Sequence, residues 1–140
     1  MKLLLDTCIL SELRHPKGNH SLRMVLESFE DEELFLSVLT IGEIAKGITL
    51  LPESRKKHEL THWLNELEHQ FSDRILPIDR GIALMWGELV ARAAIKGNTI
   101  PACDGLIAAT AMSHGLHIMT RNIKHFKETG AFIFDPGRDS

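Results

Sequence analysis

The stretch KLLLD, Lys2–Asp6, decides how the rest of the chain is read. Three consecutive leucines leave no polar face, so a strand built from them must be covered on both sides. Strands of that kind belong to parallel sheets, whose neighbours are joined by crossover elements. Asp6 falls where the apolar run stops, at the carboxyl end of the strand. In parallel α/β sheets that edge is where ligands bind.

The rest of the chain supplies the crossovers. After a break at Pro16 and Gly18, a helix is expected over about Ser21–Phe29. ELFLSVLT (Glu33–Thr40) reads as a second strand leading into TIGEIAKGITLL, a helix capped by Thr40. Pro52 opens a long helix from about Glu53 to Phe71. RILPID (Arg74–Asp79) is a short strand, and the next helix runs from about Arg80 to Lys96, where Gly97 ends it. Pro101 starts PACDGLIAATAMSHG, a helix closed by Gly115. LHIMT (Leu116–Thr120) and AFIFDP (Ala131–Pro136) are the last strands. This alternation predicts one α/β domain over residues 1–140 with a mainly parallel sheet.

Composition narrows the class. Of the 140 residues, 44% are hydrophobic and 25% charged, which suits a globular protein in water. No apolar run approaches the roughly 20 residues that span a membrane. Asp6 interrupts the first apolar stretch and no small-residue cleavage site follows, so a mature cytoplasmic protein is expected. The net charge of -3 is not that of a strongly basic nucleic-acid binder, so any positive charge for a nucleic acid must be local. Cys8 and Cys103 form no C-x-x-C pair and read as reduced thiols that pack as small buried residues.

HELTH, His58–His62, matches the zinc-peptidase pattern H-E-x-x-H. The surrounding helix argues against that reading. At about 100° per residue, Leu60, Trp63, Leu64, Leu67 and Phe71 share one face and must be buried. His58, His62 and His69 then face solvent, whereas a catalytic zinc needs a walled cleft and a third ligand. Trp63 and Trp86 lie on apolar faces, where core burial or a helix-mediated protein interface would use them.

Three acids carry more weight. Asp6 ends the first strand, Glu43 lies in the first turn after the second, and Asp104 lies in the first turn of an apolar helix. Each has a bland explanation: Asp6 or Thr7 as a cap, Thr40 and Glu43 as a capping box, Asp104 as a complement to a helix dipole. A parallel sheet, however, brings all three to one edge. Converging carboxylates repel unless a cation neutralises them, and such hard oxygens suit Mg²⁺ or Mn²⁺.

The segments LLLDTCILSEL, LTIGEIAKGI, PACDGLIAATAMSHGLHIMTRNIKHF and the closing FDP resemble a PIN-domain ribonuclease of the VapC toxin type. The resemblance runs in order from Lys2 to Pro136, and the Asp104 segment with the following TRN is its most specific part. It implies a three-layer α/β/α sandwich and a Mg²⁺- or Mn²⁺-dependent endoribonuclease that cleaves RNA. It also implies a homodimer, held inactive by a small antitoxin protein. Asp6, Glu43 and Asp104 match three acidic site positions of the family. At the fourth, where an acid often precedes the phenylalanine, this chain has His125, and Asn122 nearby offers a neutral oxygen. Either takes the fourth position, or Asn122 is a cap and His125 a solvated loop residue. The missing acid weakens the case for a second metal.

Around these residues, Thr7 and Ser37 are candidates to hydrogen-bond the carboxylates, with local capping the default for Thr7. Lys46, Arg80, Arg92, Lys96, Arg121 and Lys124 are candidates for phosphate contacts, against a default of solvated charge. Rival readings are a PIN-fold binding module, decayed at His125, that holds a partner protein or RNA without cleaving, and a phosphotransfer enzyme with Asp6 as nucleophile. The latter wants a second acid at the position of Cys8.

Overall fold

The computed structural model describes residues 1–15 and 20–139; Pro16 and Gly18, where the pattern breaks, lie outside them. The elements are β1 (Leu3–Leu5), α1 (Thr7–Arg14), α2 (His20–Glu27), β2 (Leu34–Ser37), α3 (Val38–Thr49) and α4 (Arg55–Gln70). They continue with β3 (Ile75–Leu76), α5 (Arg80–Ile95), α6 (Ala102–His114), β4 (His117–Met119), α7 (Ile123–Phe126) and β5 (Ile133–Phe134). The strands form one sheet in the order β3-β2-β1-β4-β5, with every pairing parallel.

β1 is central and covered on both sides, as its three leucines require. Leu3 and Leu5 enter one buried cluster with α1, α2, α3 and α4, including Ile9, Leu22, Ile44 and Leu67. Leu4 points the other way, into a cluster with Ile82, Leu89, Ile107 and Phe126 from α5, α6 and α7. The period-two alternation of a strand thus separates two cores, and the result is a three-layer α/β/α sandwich.

Four details differ from the sequence reading. α1 begins directly after β1, in the stretch before Pro16 that the apolar pattern left unassigned. α7 and a 3-10 turn at Asp31–Glu33 are too short to show a period. α3 starts earlier than expected: Ser37, fully buried at the end of β2, accepts a hydrogen bond from the Leu39 amide (3.1 Å) and caps the helix. Thr40 is therefore inside α3, buried, with no hydrogen-bond partner for its hydroxyl, and the Thr40–Glu43 capping box does not form. Glu43 accordingly stands in the second turn.

α4 divides as its sequence demands. Leu67 and Phe71 are buried, and Leu60, Trp63 and Leu64 pack against the same core. His58, His62 and His69 are exposed, with His62 Nε2 3.0 Å from Glu66 and His58 Nε2 3.7 Å from Glu53. The peptidase motif is a solvent-facing stripe.

Two glycines matter to the α5–α6 layer. Gly115 ends α6 at φ 66°, the left-handed conformation glycine adopts without strain. Gly105 allows close approach to α5: a Cβ there would lie 2.9 Å from Trp86 Cδ1 and 3.3 Å from Val90 Cγ2. Gly105→Val should therefore destabilise the fold by about 1–3 kcal/mol through overpacking, read as a lower denaturant midpoint. An unchanged midpoint would show that Trp86 yields freely. His58→Ala with His62→Ala should change stability by no more than about 0.5 kcal/mol, since both rings are exposed. A larger loss in thermal melting would mean the stripe supports the fold.

Candidate active site

The strand order places a topological switch beside β1. The chain builds outward through β2 and β3, then returns to add β4 on the other side of β1. Crossovers leave β1 and β4 in different directions there, the arrangement that in open parallel sheets makes the strands' carboxyl ends the place where ligands bind. Leu5 pairs with Met119, so the next residues, Asp6 and Thr120, sit side by side at that edge.

Asp6 is 8% exposed and held by three donors. As N-cap of α1, its Oδ1 accepts from the Thr7 amide at 2.9 Å. Its Oδ2 accepts from Thr120 Oγ1 at 2.8 Å and from the Cys8 thiol at 3.4 Å. Thr120 is fully buried, and its Oγ1 also accepts from the Asn122 amide at 2.9 Å. The Asp6 carboxylate thus has one orientation, set by the ends of two strands.

Glu43 reaches the same edge from α3. It is exposed, and its Oε1 accepts from Thr7 Oγ1 at 3.0 Å, so Thr7 links Glu43 to the Asp6 turn rather than serving only as a local cap. Asp104 opens α6 and is partly buried. Burial raises its pKa; the charge of His125 pulls it down and the Asp6 carboxylate pushes it up. His125 Nδ1 lies 3.7 Å from Asp104 Oδ2. The Cys103 thiol is raised by burial and then by the carboxylates of Glu43, Asp104 and Asp6, so the fields of all three acids meet at one side chain.

The acids converge without closing into a cage. Among the described residues, no three His, Cys, Asp or Glu side chains are gathered tightly enough to hold a metal ion. The donor set nonetheless fits a hard divalent cation. Its oxygens are carboxylates, and the charge on Asp104, disfavoured by burial and by Asp6, is what such a cation would relieve.

The other candidates divide. Asn122 stands at the N-cap of α7 but makes no side-chain cap bond, and its side chain is exposed. Arg121 is committed to Glu12 at 3.0 Å, and Arg92 lies 3.5 Å from Glu88. Ser37 caps α3 instead of touching the acids. Cys8 is not inert packing, since its thiol meets both Asp6 and Thr120; burial raises its pKa and keeps it a protonated donor. Thr120 is the residue the sequence reading passed over. Its signal was position alone: a hydroxyl directly after the apolar run LHIM, where a buried parallel strand ends.

A PIN domain profile matches residues 3–131. The toxin FitB of Neisseria gonorrhoeae is 35% identical over 98% of this chain and 99% of its own length. The VapC ribonuclease Y4jK of Sinorhizobium fredii is 30% identical over 96% of each. The structure of FitAcB from Neisseria gonorrhoeae superposes with a TM-score of 0.90 at 34% identity, covering 97% of this chain and 99% of that one. The matched span contains β1, the switch point and all three acids, and on these grounds the chain belongs to the PIN domain family.

Proposed function

We propose that this protein is a Mg²⁺- or Mn²⁺-dependent endoribonuclease and the toxin of a toxin–antitoxin pair, with Asp6, Glu43 and Asp104 as its catalytic and metal-binding residues. The observation that carries the reading is the gathering of acids at the switch point: Asp6 at the end of β1, Glu43 tied to it through Thr7, and a partly buried Asp104 opening α6, near enough to feel the charge of Asp6. The names of the relatives, a toxin and a ribonuclease, support the same reading. A small antitoxin protein and a second copy of the chain are the partners proposed. No helix among the described residues is long and apolar enough to cross a membrane, and a cytoplasmic site of action is proposed.

Asp6 and Asp104 would hold the ion, with Glu43 completing the set from α3. When bound, a divalent cation supplies charge neutralisation at the phosphodiester and a more acidic water. The chain's own contribution is orientation. Thr120, Cys8 and the Thr7 amide fix the Asp6 carboxylate, and the Thr7 hydroxyl holds Glu43 beside it. Lys46, whose charge reaches Cys103, and Lys124, exposed next to His125, would meet RNA phosphates on this reading.

A second reading has an observation of its own. The acids stop short of a three-ligand cluster, and His125 faces Asp104. On that reading the chain is a PIN-fold binding module that holds a partner protein or RNA without cutting.

The cleavage assay separates the two. Asp6→Asn and Asp104→Asn should each lower metal-dependent RNA cleavage by at least about 100-fold, roughly 2.7 kcal/mol of barrier. The double variant should be scarcely worse than either single one, because the two acids act as a unit. Wild-type rates in a folded Asp104→Asn protein would remove Asp104 from the site, and no cleavage by the wild type with either metal would favour the binding module.

The burial of Asp104, with the Asp6 charge adding to it, also predicts a stability effect. Asp104 has a raised pKa in the folded, metal-free protein, so the folded state holds that proton more tightly than the unfolded chain. Its contribution to stability is full below the ordinary aspartate value, about 3.9, and is lost as pH rises through the raised folded value. Asp104→Asn carries no charge to lose. The metal-free variant should therefore melt above the wild type at pH 7, with the gap closing toward about pH 3. A variant melting lower at neutral pH would contradict the assigned cost of burying this charge.

A further inference from the structure

His125 and Asp104 come from different helices and meet without satisfying one another. The separation of 3.7 Å from Nδ1 to Oδ2 exceeds a hydrogen bond, and the imidazole is 56% exposed against 20% for the carboxylate. The backbone beneath the ring is fixed. The His125 amide donates to Asn122 O at 3.0 Å, and the next residue, Phe126, is buried in the core. The ring can rotate while its attachment point stays. Two donor atoms at right angles on one ion, each roughly 2.1 Å from it, lie roughly 3 Å apart. A shift of less than about 1 Å would bring imidazole nitrogen and carboxylate oxygen to that spacing.

We propose that His125 is a nitrogen ligand to the divalent cation held at Asp104, and that it makes this site select Mn²⁺ over Mg²⁺. The inference rests on the metal site proposed above. Mg²⁺ favours oxygen donors and holds its waters tightly, so an imidazole in its shell contributes little. Imidazole suits transition metals, so Mn²⁺ gains from the same ring. A nitrogen donor also adds no negative charge beside two carboxylates that already repel. His125 is thus a specificity-determining residue, acting on which metal is loaded. If the ring merely screened Asp104 through space, no nitrogen would enter the metal's first coordination sphere.

The test uses full-length protein carrying His58→Ala and His62→Ala, so that the exposed pair on α4 contributes no nitrogen. In that background His125→Ala, His125→Asp and Asp104→Asn are compared by calorimetric Kd for Mn²⁺ and for Mg²⁺. The second readout is ¹⁴N modulation in the electron spin echo spectrum of bound Mn²⁺. The parent should show ¹⁴N modulation and His125→Ala should lose it. The preference for Mn²⁺ should fall at least about fivefold in His125→Ala, mainly through weaker Mn²⁺ binding. His125→Asp should bring the two metals closer still by strengthening Mg²⁺ binding. Unaltered ¹⁴N modulation and an unaltered Mn²⁺/Mg²⁺ ratio in a folded His125→Ala protein, with binding still abolished by Asp104→Asn, would overturn the role of His125 and leave the metal site standing. Absence of any Asp104-dependent binding of either metal would overturn the metal site and this inference together.

Discussion

The hydrogen bond from Thr120 to Asp6 joins residues 114 positions apart, and the geometry of the candidate site follows from it. It exists because β1 and β4 pair in parallel, with Leu5 opposite Met119. Two strands in that register end together, and the first residue past each end meets its counterpart. Burying a carboxylate costs several kcal/mol unless donors replace its water. Asp6 has three: the Thr7 amide, the Thr120 hydroxyl and the Cys8 thiol. A carboxylate offers about four acceptor positions, so this arrangement fixes the group and leaves room for one more partner. Asp6 is also the N-cap of α1, so the residue that starts the first helix is the one held at the switch point.

Around that fixed point the charges are left unbalanced. Asp104 is brought to the edge by α6, partly buried and opposed by Asp6, with His125 as a partial counterweight. Glu43 is tethered through Thr7 but stays exposed on α3. Stability alone would favour a neutral residue at position 104. On the proposed reading, a cation taken up at this edge would relieve that tension and so couple ion loading to the state of the whole edge. On the same proposed reading the acids need not form a closed cage in advance: Asp6 is held by three donors, and Glu43 and His125, both exposed, have room to adjust.

Much of this was legible in the sequence where local pattern determines structure. KLLLD declared a strand covered on both faces because no polar side chain interrupts it, and Leu4 and Leu5 do enter opposite cores. The α4 stripe was legible for the same reason, through the 3.6-residue period that puts His58 and His62 opposite Leu67. Asp6, Glu43 and Asp104 were readable as acids at one edge because the parallel sheet fixes where strands end. What escaped was set by contacts between distant segments. Ser37 displaced Thr40 as the cap of α3 because the strand ended sooner than its apolar run. The pairings of Thr120 with Asp6 and of Thr7 with Glu43 span crossovers, and nothing in the local sequence announces them. α7 is a single turn, too short for any period, yet it places His125 against Asp104.

The central claim is that Asp6 and Asp104 share one divalent cation at the switch between β1 and β4. Crystals of the protein grown with Mn²⁺, with anomalous diffraction recorded near the manganese edge, test it directly. The account predicts an anomalous peak within coordination distance, roughly 2.2 Å, of oxygens from both Asp6 and Asp104. A map with no peak at that edge, or with its peak only on the exposed histidines of α4, would contradict it.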